Sequence, residues 1–358
     1  MDQQTYREIV SGKRRGFGAG LLRCVFLVVA VFYRAIVGLR NFLYSAGLLK
    51  SHRVEVAVIC IGNITTGGTG KTPLVVWLCK LLSEDVKPGK RRCAILTRGY
   101  KSGGQNDEPA LLAQSCPDAA VVINPDRVAG AAEATVKLGA EVLIMDDGFQ
   151  HRRLQRDLDI VTIDATCPFG YGKVLPAGML REAIGGLGRA GAFVITRCDQ
   201  VDEAELVAIE RRLGQLNSKA PIARCAHAPT HVISPEGDEM ELASLKGMKV
   251  FAFCGIGNPD SFFGTVRQLG AEVVGSRIFN DHQSYTRNGL EVISRRAREL
   301  GAELILTTLK DWTKTQSFSS SDSDPPMAYL GVEMAFLAGE DSLTDLIERT
   351  VEGRIAVN

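Results

Sequence analysis

Val54 to Leu82 runs VEVAVICIGNITTGGTGKTPLVVWLCKLL, and the change of pattern inside this stretch decides the fold. Its first half is β-branched and apolar without alternation, as expected of a parallel strand buried on both faces. Its second half has the spacing of a helix, and Pro73 sits in the first turn, where no backbone donor is needed. Between them lies Thr65-Thr66-Gly67-Gly68-Thr69-Gly70-Lys71-Thr72. Strand, glycine-rich turn and helix N-terminus together are the setting of a P-loop. Backbone N–H groups of residues 67 to 72 are placed to wrap phosphates at the positive end of the helix dipole. Lys71 then bridges the terminal phosphates and the Thr72 hydroxyl faces Mg²⁺. Thr65 stands where P-loops generally have their first glycine, and Gly67-Gly68 supply the turn instead. Thr66 stands where dimeric partitioning ATPases place an extra lysine, which argues against that class.

A second apolar run, AEVLIMDDGFQHRRL, closes in Asp146-Asp147. A strand ending in aspartate next to a P-loop is a Walker B arrangement for ordering Mg²⁺, although Asp-Asp-Gly also makes a plain turn. The strand CAILT leads to Arg98, Asp107 and Glu108, which follow a strand end where open α/β sheets bind ligands. Asp107 is a candidate base for a substrate hydroxyl and equally a candidate turn residue. Asp281-His282 lies between a strand-like run and a helix, where His282 either shuttles a proton or caps the helix. Thr196-Arg197-Cys198-Asp199 is a distant echo of the guanine-reading Asn-Lys-x-Asp, and Gly255-Ile-Gly257 is a tight βα turn rather than a dinucleotide fingerprint.

The first fifty residues differ in character. After Lys13-Arg14-Arg15, an uninterrupted apolar core from Cys24 to Tyr33 is shorter than the ~20 residues a bilayer span needs. Leu22, Phe26, Val29, Phe32, Ile36 and Leu43 recur with helical spacing, and Arg23 and Arg34 share a side. An amphipathic helix lying at a membrane surface is expected, against a signal peptide or a core helix. The remaining chain partitions into a P-loop domain over 51–228, a polar hinge over 229–247 and a smaller α/β domain over 248–358. A formal net charge of +1 gives no basic field for nucleic acid. The nine cysteines form no CxxC pair, which argues against zinc and for a reducing cytoplasm.

The segments GNITTGGTGKTPLV, LTRGYKS, NDEPALLA, NPDRVAGA, MDDGFQHRRLQRDLDIV, PFGYGKVLPAGMLRE, ITRCD, FCGIGNP and DHQSYT resemble, in order, the tetraacyldisaccharide 4′-kinase (lipid A 4′-kinase) family. The resemblance implies a P-loop NTPase-type parallel sheet flanked by helices, with a smaller C-terminal α/β domain. It implies transfer of the ATP γ-phosphate to the 4′-hydroxyl of tetraacyldisaccharide 1-phosphate, giving lipid IVA, with Mg²⁺ as the metal. It implies a location on the cytoplasmic face of the bacterial inner membrane, and no obligate protein partner. By position, Lys71 and Thr72 hold phosphate and metal, Asp146 and Asp147 organise the metal, and Asp107 is the base with His282 assisting. Glu108, Arg127, Gln150, His151, Arg181 and Glu182 become substrate or phosphate contacts. A metallochaperone-type GTPase switch is the alternative, and it requires Asp199 to select guanine; a nucleotide-binding membrane scaffold without turnover is a third reading.

Overall fold

The structure is a computed structural model that describes residues 3–83, 91–99, 107–234, 237–280, 284–315 and 324–355. The chain forms two compact units: Met1–Gly99, Leu112–Ala226 and Ala335–Asn358 make the first, and Tyr100–Leu111 with His227–Met334 the second.

The first unit opens with helices α1 (Gln3–Val10) and α2 (Phe17–Ser45). At 29 residues α2 is about 43 Å long at 1.5 Å rise per residue, which is long and apolar enough to cross a membrane. The sequence pattern placed Val29, Phe32 and Ile36 on one face with Phe26. In the structure Phe26, Ala30 and Tyr33 turn inward, while Phe32 and Ile36 are 65% and 69% exposed. Phe17, Leu21, Val28, Val31, Leu39 and Phe42 are exposed as well. Apolar residues occur on most sides of the helix, so their spacing misread which side the core takes. A core helix it is not, because only 6% of its apolar stretch is buried.

The sheet of this unit contains β1 (Ala57–Asn63), β2 (Cys93–Thr97), β3 (Ala119–Ile123), β4 (Val142–Asp146), β5 (Leu158–Asp164), β6 (Ala192–Thr196) and the start of β7 (Ile222–Ile233). Their order is β3-β2-β4-β1-β5-β6-β7 and every pair is parallel. All residues of β1, β2, β4 and β6 are buried, which is why their sequences carry no alternation. Helices α3 (Lys71–Ser83), α4 (Asp107–Ser115, divided between the units), α5 (Arg127–Val136) and α6 (Glu203–Leu216) connect the strands. Asp126 caps α5 through Val128 and Ala129, and Asp202 caps α6 through Glu205. Ile61 lies opposite Asp146, and Asn63 opposite Thr162, so the carboxyl ends of the central strands finish level with the loop after β1.

The second unit holds β8 (Glu239–Met240), β9 (Lys249–Cys254), α7 (Pro259–Gln268), β10 (Glu272–Ile278), α8 (Arg287–Glu299), β11 (Leu304–Thr308), α9 (Leu309–Thr315) and β12 (Met327–Ala338) up to Met334. β10-β9-β11-β12 are parallel, and β8 runs antiparallel to the end of β7. Val250, Ala252 and Cys254 face one core with Phe262 and Leu304, while Phe251 and Phe253 face another with Tyr285 and Trp312. Asp311, fully buried, accepts from Gly255 N at 3.0 Å, Tyr285 Oη at 2.9 Å and Thr308 Oγ1 at 2.7 Å. A Cβ on Gly255 would meet Tyr285 Oη at 3.0 Å, so the Gly255 turn is a packed βα turn as its sequence implied.

The chain returns to the first unit within β12. α10 (Glu340–Ile355) then buries Leu343, Ile347 and Val351 there, and Arg354 Nε reaches Asp157 Oδ1 at 2.8 Å.

Candidate active site

Everything in the phosphate loop follows from β1 ending at Asn63 and α3 beginning at Lys71. Gly67 and Gly70 take φ of +108° and +80°, a backbone that side-chain-bearing residues rarely adopt. Asn63, with no exposed surface, donates from Nδ2 to Thr69 Oγ1 at 2.9 Å. Thr69 Oγ1 lies 2.7 Å from Thr162 Oγ1, and Thr196 Oγ1 donates to Thr69 O at 3.1 Å. Three strand ends are therefore pinned to the loop by hydroxyls, a network that repetition or periodicity in the sequence does not signal. On its outer side the loop is stitched to residues 179–181: Thr66 N donates to Met179 O at 2.8 Å and Arg181 N to Ile64 O at 2.7 Å.

Asp147 follows β4 with φ of +50° and is the centre of the charged cluster. Arg181 Nη1 lies 2.8 and 2.9 Å from its two carboxylate oxygens, and Lys71 Nζ 3.5 Å from Oδ1. Burial raises the Asp147 carboxyl, but Lys71 and Arg181 outweigh it and bring it down to about 2. The residue stays an anion at any working pH and pairs with the Lys71 ammonium at the start of α3. Asp146 is buried at the strand end, and Arg127, 5% exposed, donates to its backbone oxygen at 3.4 Å and to Asn124 O at 2.8 Å. Burial lowers the Arg127 guanidinium below its ordinary range, with Asp146 and Asp147 opposing.

Gln150 donates from Nε2 to Asn63 O at 2.9 Å and to Glu182 Oε1 at 3.1 Å. Glu182 is 1% exposed and also accepts from Arg189 Nη2 at 3.0 Å and Asn41 Nδ2 at 2.8 Å. Its carboxylate is thus spent on protein donors. His151 is half-buried, and its Nε2 has no hydrogen-bond partner among the described residues. Burial, reinforced by Arg127 and Arg156, lowers its pKa to about 4, so the ring is neutral near pH 7. Asp107 and Glu108 open α4, but their side chains lie outside the described residues, as does His282 altogether.

Of the sequence-predicted residues the structure gathers Thr65 to Thr72, Lys71, Asp147 and Arg181 into one cluster, with Gln150 and Glu182 behind it. Among the described residues no three His, Cys, Asp or Glu side chains come together as a metal site. Asp147 is engaged by two cations. The donors that suit Mg²⁺ are the Thr72 hydroxyl and the Asp146 carboxylate. They are hard oxygens of the kind that serve Mg²⁺ when phosphate and water complete its shell. Arg197, the second residue of the guanine-like echo, is buried in an ion pair with Asp164 at the neighbouring strand end.

Residues 22–352 match the family described as tetraacyldisaccharide-1-P 4′-kinase, LpxK. A tetraacyldisaccharide 4′-kinase of Anaeromyxobacter sp. (strain Fw109-5) is 37% identical, with 94% of each chain covered. That of Halothermothrix orenii is 34% identical, over 90% of this chain and 91% of the relative. A crystal structure of LpxK from Aquifex aeolicus in complex with ATP superposes with a TM-score of 0.70 at 30% identity, covering 92% of this chain and 99% of that one. With the family match running from residue 22 to residue 352 and relatives of 34% and 37% identity covered over nearly their whole length, the chain belongs to the tetraacyldisaccharide 4′-kinase family.

Proposed function

We propose that the chain transfers the γ-phosphate of ATP to the 4′-hydroxyl of tetraacyldisaccharide 1-phosphate at the cytoplasmic face of the inner membrane. The observation that carries this is the Lys71–Asp147–Arg181 cluster at the mouth of a P-loop, in a unit that also presents a largely unburied apolar helix. A lipid with four acyl chains does not leave the bilayer, so its kinase has to come to it. The exposed faces of α2 supply the apolar area for that, and Lys13, Arg14 and Arg15 just before it supply cations for anionic headgroups.

In this reading the backbone N–H groups of residues 67 to 72 bind the β- and γ-phosphates and Lys71 follows the charge as it moves. Mg²⁺, when bound by Thr72 and Asp146, neutralises phosphate charge that Lys71 alone leaves unbalanced. Asp147 and Arg181 hold Lys71 and the loop in place, so little reorganisation is left for the chemical step. Asp107 accepts the proton of the 4′-hydroxyl, His282 assists as the family pattern implies, and Glu108 lies next to Asp107 in sequence for contact with the sugar. Arg127, Gln150 and His151 contact substrate or phosphate, and Glu182 acts from behind by orienting Gln150.

The test is transfer of labelled γ-phosphate to tetraacyldisaccharide 1-phosphate in mixed micelles. Product formed with ATP, and lost in Lys71→Ala and Asp107→Ala proteins that remain folded, supports the assignment. Hydrolysis of GTP without lipid phosphorylation overturns it in favour of a switch GTPase.

A further inference from the structure

Residues 174–182 run between the N-terminal helices and the phosphate loop and are bonded to both. On the helix side, Tyr6 Oη lies 2.6 Å from Gly178 O and 3.1 Å from Pro176 O. Tyr33 Oη, from α2, donates to Arg181 O at 2.8 Å. On the loop side, Thr65 and Leu180 form an antiparallel bridge, and Met179 O accepts from Thr66 N at 2.8 Å. Arg181 is tied three ways: its carbonyl to α2, its amide to Ile64 O at 2.7 Å, and its guanidinium to Asp147, which holds Lys71.

Apolar contacts also attach both helices. Phe26, Ala30 and the Tyr33 ring pack α2 onto the core, and Ile9 does the same for α1 at 2% exposure. What the hydroxyls add is direction, because a hydrogen bond fixes a position along the strand that apolar contact leaves free. Burial raises both phenols, that of Tyr6 to about 12, so both are protonated donors at working pH.

We infer that Tyr6 and Tyr33 are positioning residues, whose hydroxyls register residues 174–182 against the phosphate loop and so make the Lys71–Asp147–Arg181 geometry depend on docked N-terminal helices. The membrane-facing helices are then part of the nucleotide site's support as well as an anchor. The coupling rests on the kinase reading only where turnover is measured; nucleotide affinity reports on it independently.

The experiment uses the full chain in micelles, as Tyr6→Phe, Tyr33→Phe and the double variant, with Tyr44→Phe on the same helix as control. ATP affinity is measured by calorimetry, kcat and lipid KM by phosphate transfer, and membrane binding by partition into vesicles containing anionic lipid. Each single variant weakens ATP about fivefold, the size of one net hydrogen bond. In each, kcat falls while lipid KM and vesicle partition stay at wild-type values; Tyr44→Phe matches wild type throughout. Wild-type ATP affinity in both Tyr6→Phe and Tyr33→Phe overturns the inference, and so does an equal loss in Tyr44→Phe. Should Tyr33→Phe fail to fold, Tyr6→Phe decides alone. If wild-type protein binds ATP but never phosphorylates the lipid, the substrate assignment fails, and the ATP affinities still decide the role of the tyrosines.

Discussion

Arg181 grips both oxygens of Asp147, at 2.8 and 2.9 Å, through a single nitrogen, while Lys71 approaches Oδ1 from 3.5 Å. Two cations thus share one anion at the edge of the phosphate loop. Arg181→Ala leaves Asp147 to Lys71 alone and draws the ammonium away from the phosphates. We expect kcat to drop about 10- to 100-fold, the range for losing a charge-assisted hydrogen bond. Steady-state phosphate transfer checks this, and wild-type kcat in Arg181→Ala would remove the residue from the site.

Asp147 gives the cluster a defined acid response. Its carboxyl is held at about 2 against an ordinary 3.8, so its contribution to stability is complete above pH 3.8 and is lost as pH falls through 2. Asp147→Asn should therefore be less stable than wild type at pH 7, with the gap closing near pH 2. Denaturant midpoints at the two pH values measure it; a gap that persists at pH 2 sinks the electrostatic account.

The opposite kind of group is His151, whose ring is pushed from 6.5 to about 4 and is carried neutral in the fold. The unfolded chain takes up its proton first, so the group costs stability as pH falls from 6.5 to 4 and adds nothing further below that. His151→Asn should flatten the acid slope in that window while leaving stability above pH 7 little changed. Thermal midpoints across pH 4 to 8 give the comparison.

Gly62 is a matter of space. A Cβ there would lie 2.6 Å from Phe149 Cβ and 2.8 Å from Phe149 N, and the contact is with backbone that sits beside Asp147. Gly62→Ala is expected to destabilise by about 1–3 kcal/mol, the usual cost of overpacking. ATP affinity should fall with it, because Asn63 and the loop follow directly; unchanged stability by denaturant titration contradicts this.

The nucleotide half of the molecule was legible because it is written in short, contiguous chemistry. A buried strand, a glycine turn and a helix start lie within Val54 to Leu82, and Asp146 announces its strand end by ending an apolar run. What escaped is chemistry assembled across distance. Thr69, Thr162 and Thr196 are ordinary strand and loop residues until registry brings the Thr162 hydroxyl to that of Thr69 and the Thr196 hydroxyl to the Thr69 carbonyl. Glu182 looks like a ligand contact in a string of letters, yet Asn41, Gln150 and Arg189 enclose it. In α2 apolar residues occur on most sides, so their spacing alone did not mark the inward face of Phe26, Ala30 and Tyr33. Asp107 and His282 hold their proposed roles through the family pattern.

Helix α10 has a genetic consequence. It is the last of the described helices, yet Leu343, Ile347 and Val351 belong to the interior of the nucleotide-binding unit, and Arg354 pairs with Asp157 beside β5. A stop codon after β7 spares every residue of the phosphate loop and still removes part of that unit's interior. Synthesis must pass α10 before the interior of the first unit is complete, so a ribosome-bound chain lacks part of that interior until this sixteen-residue helix emerges.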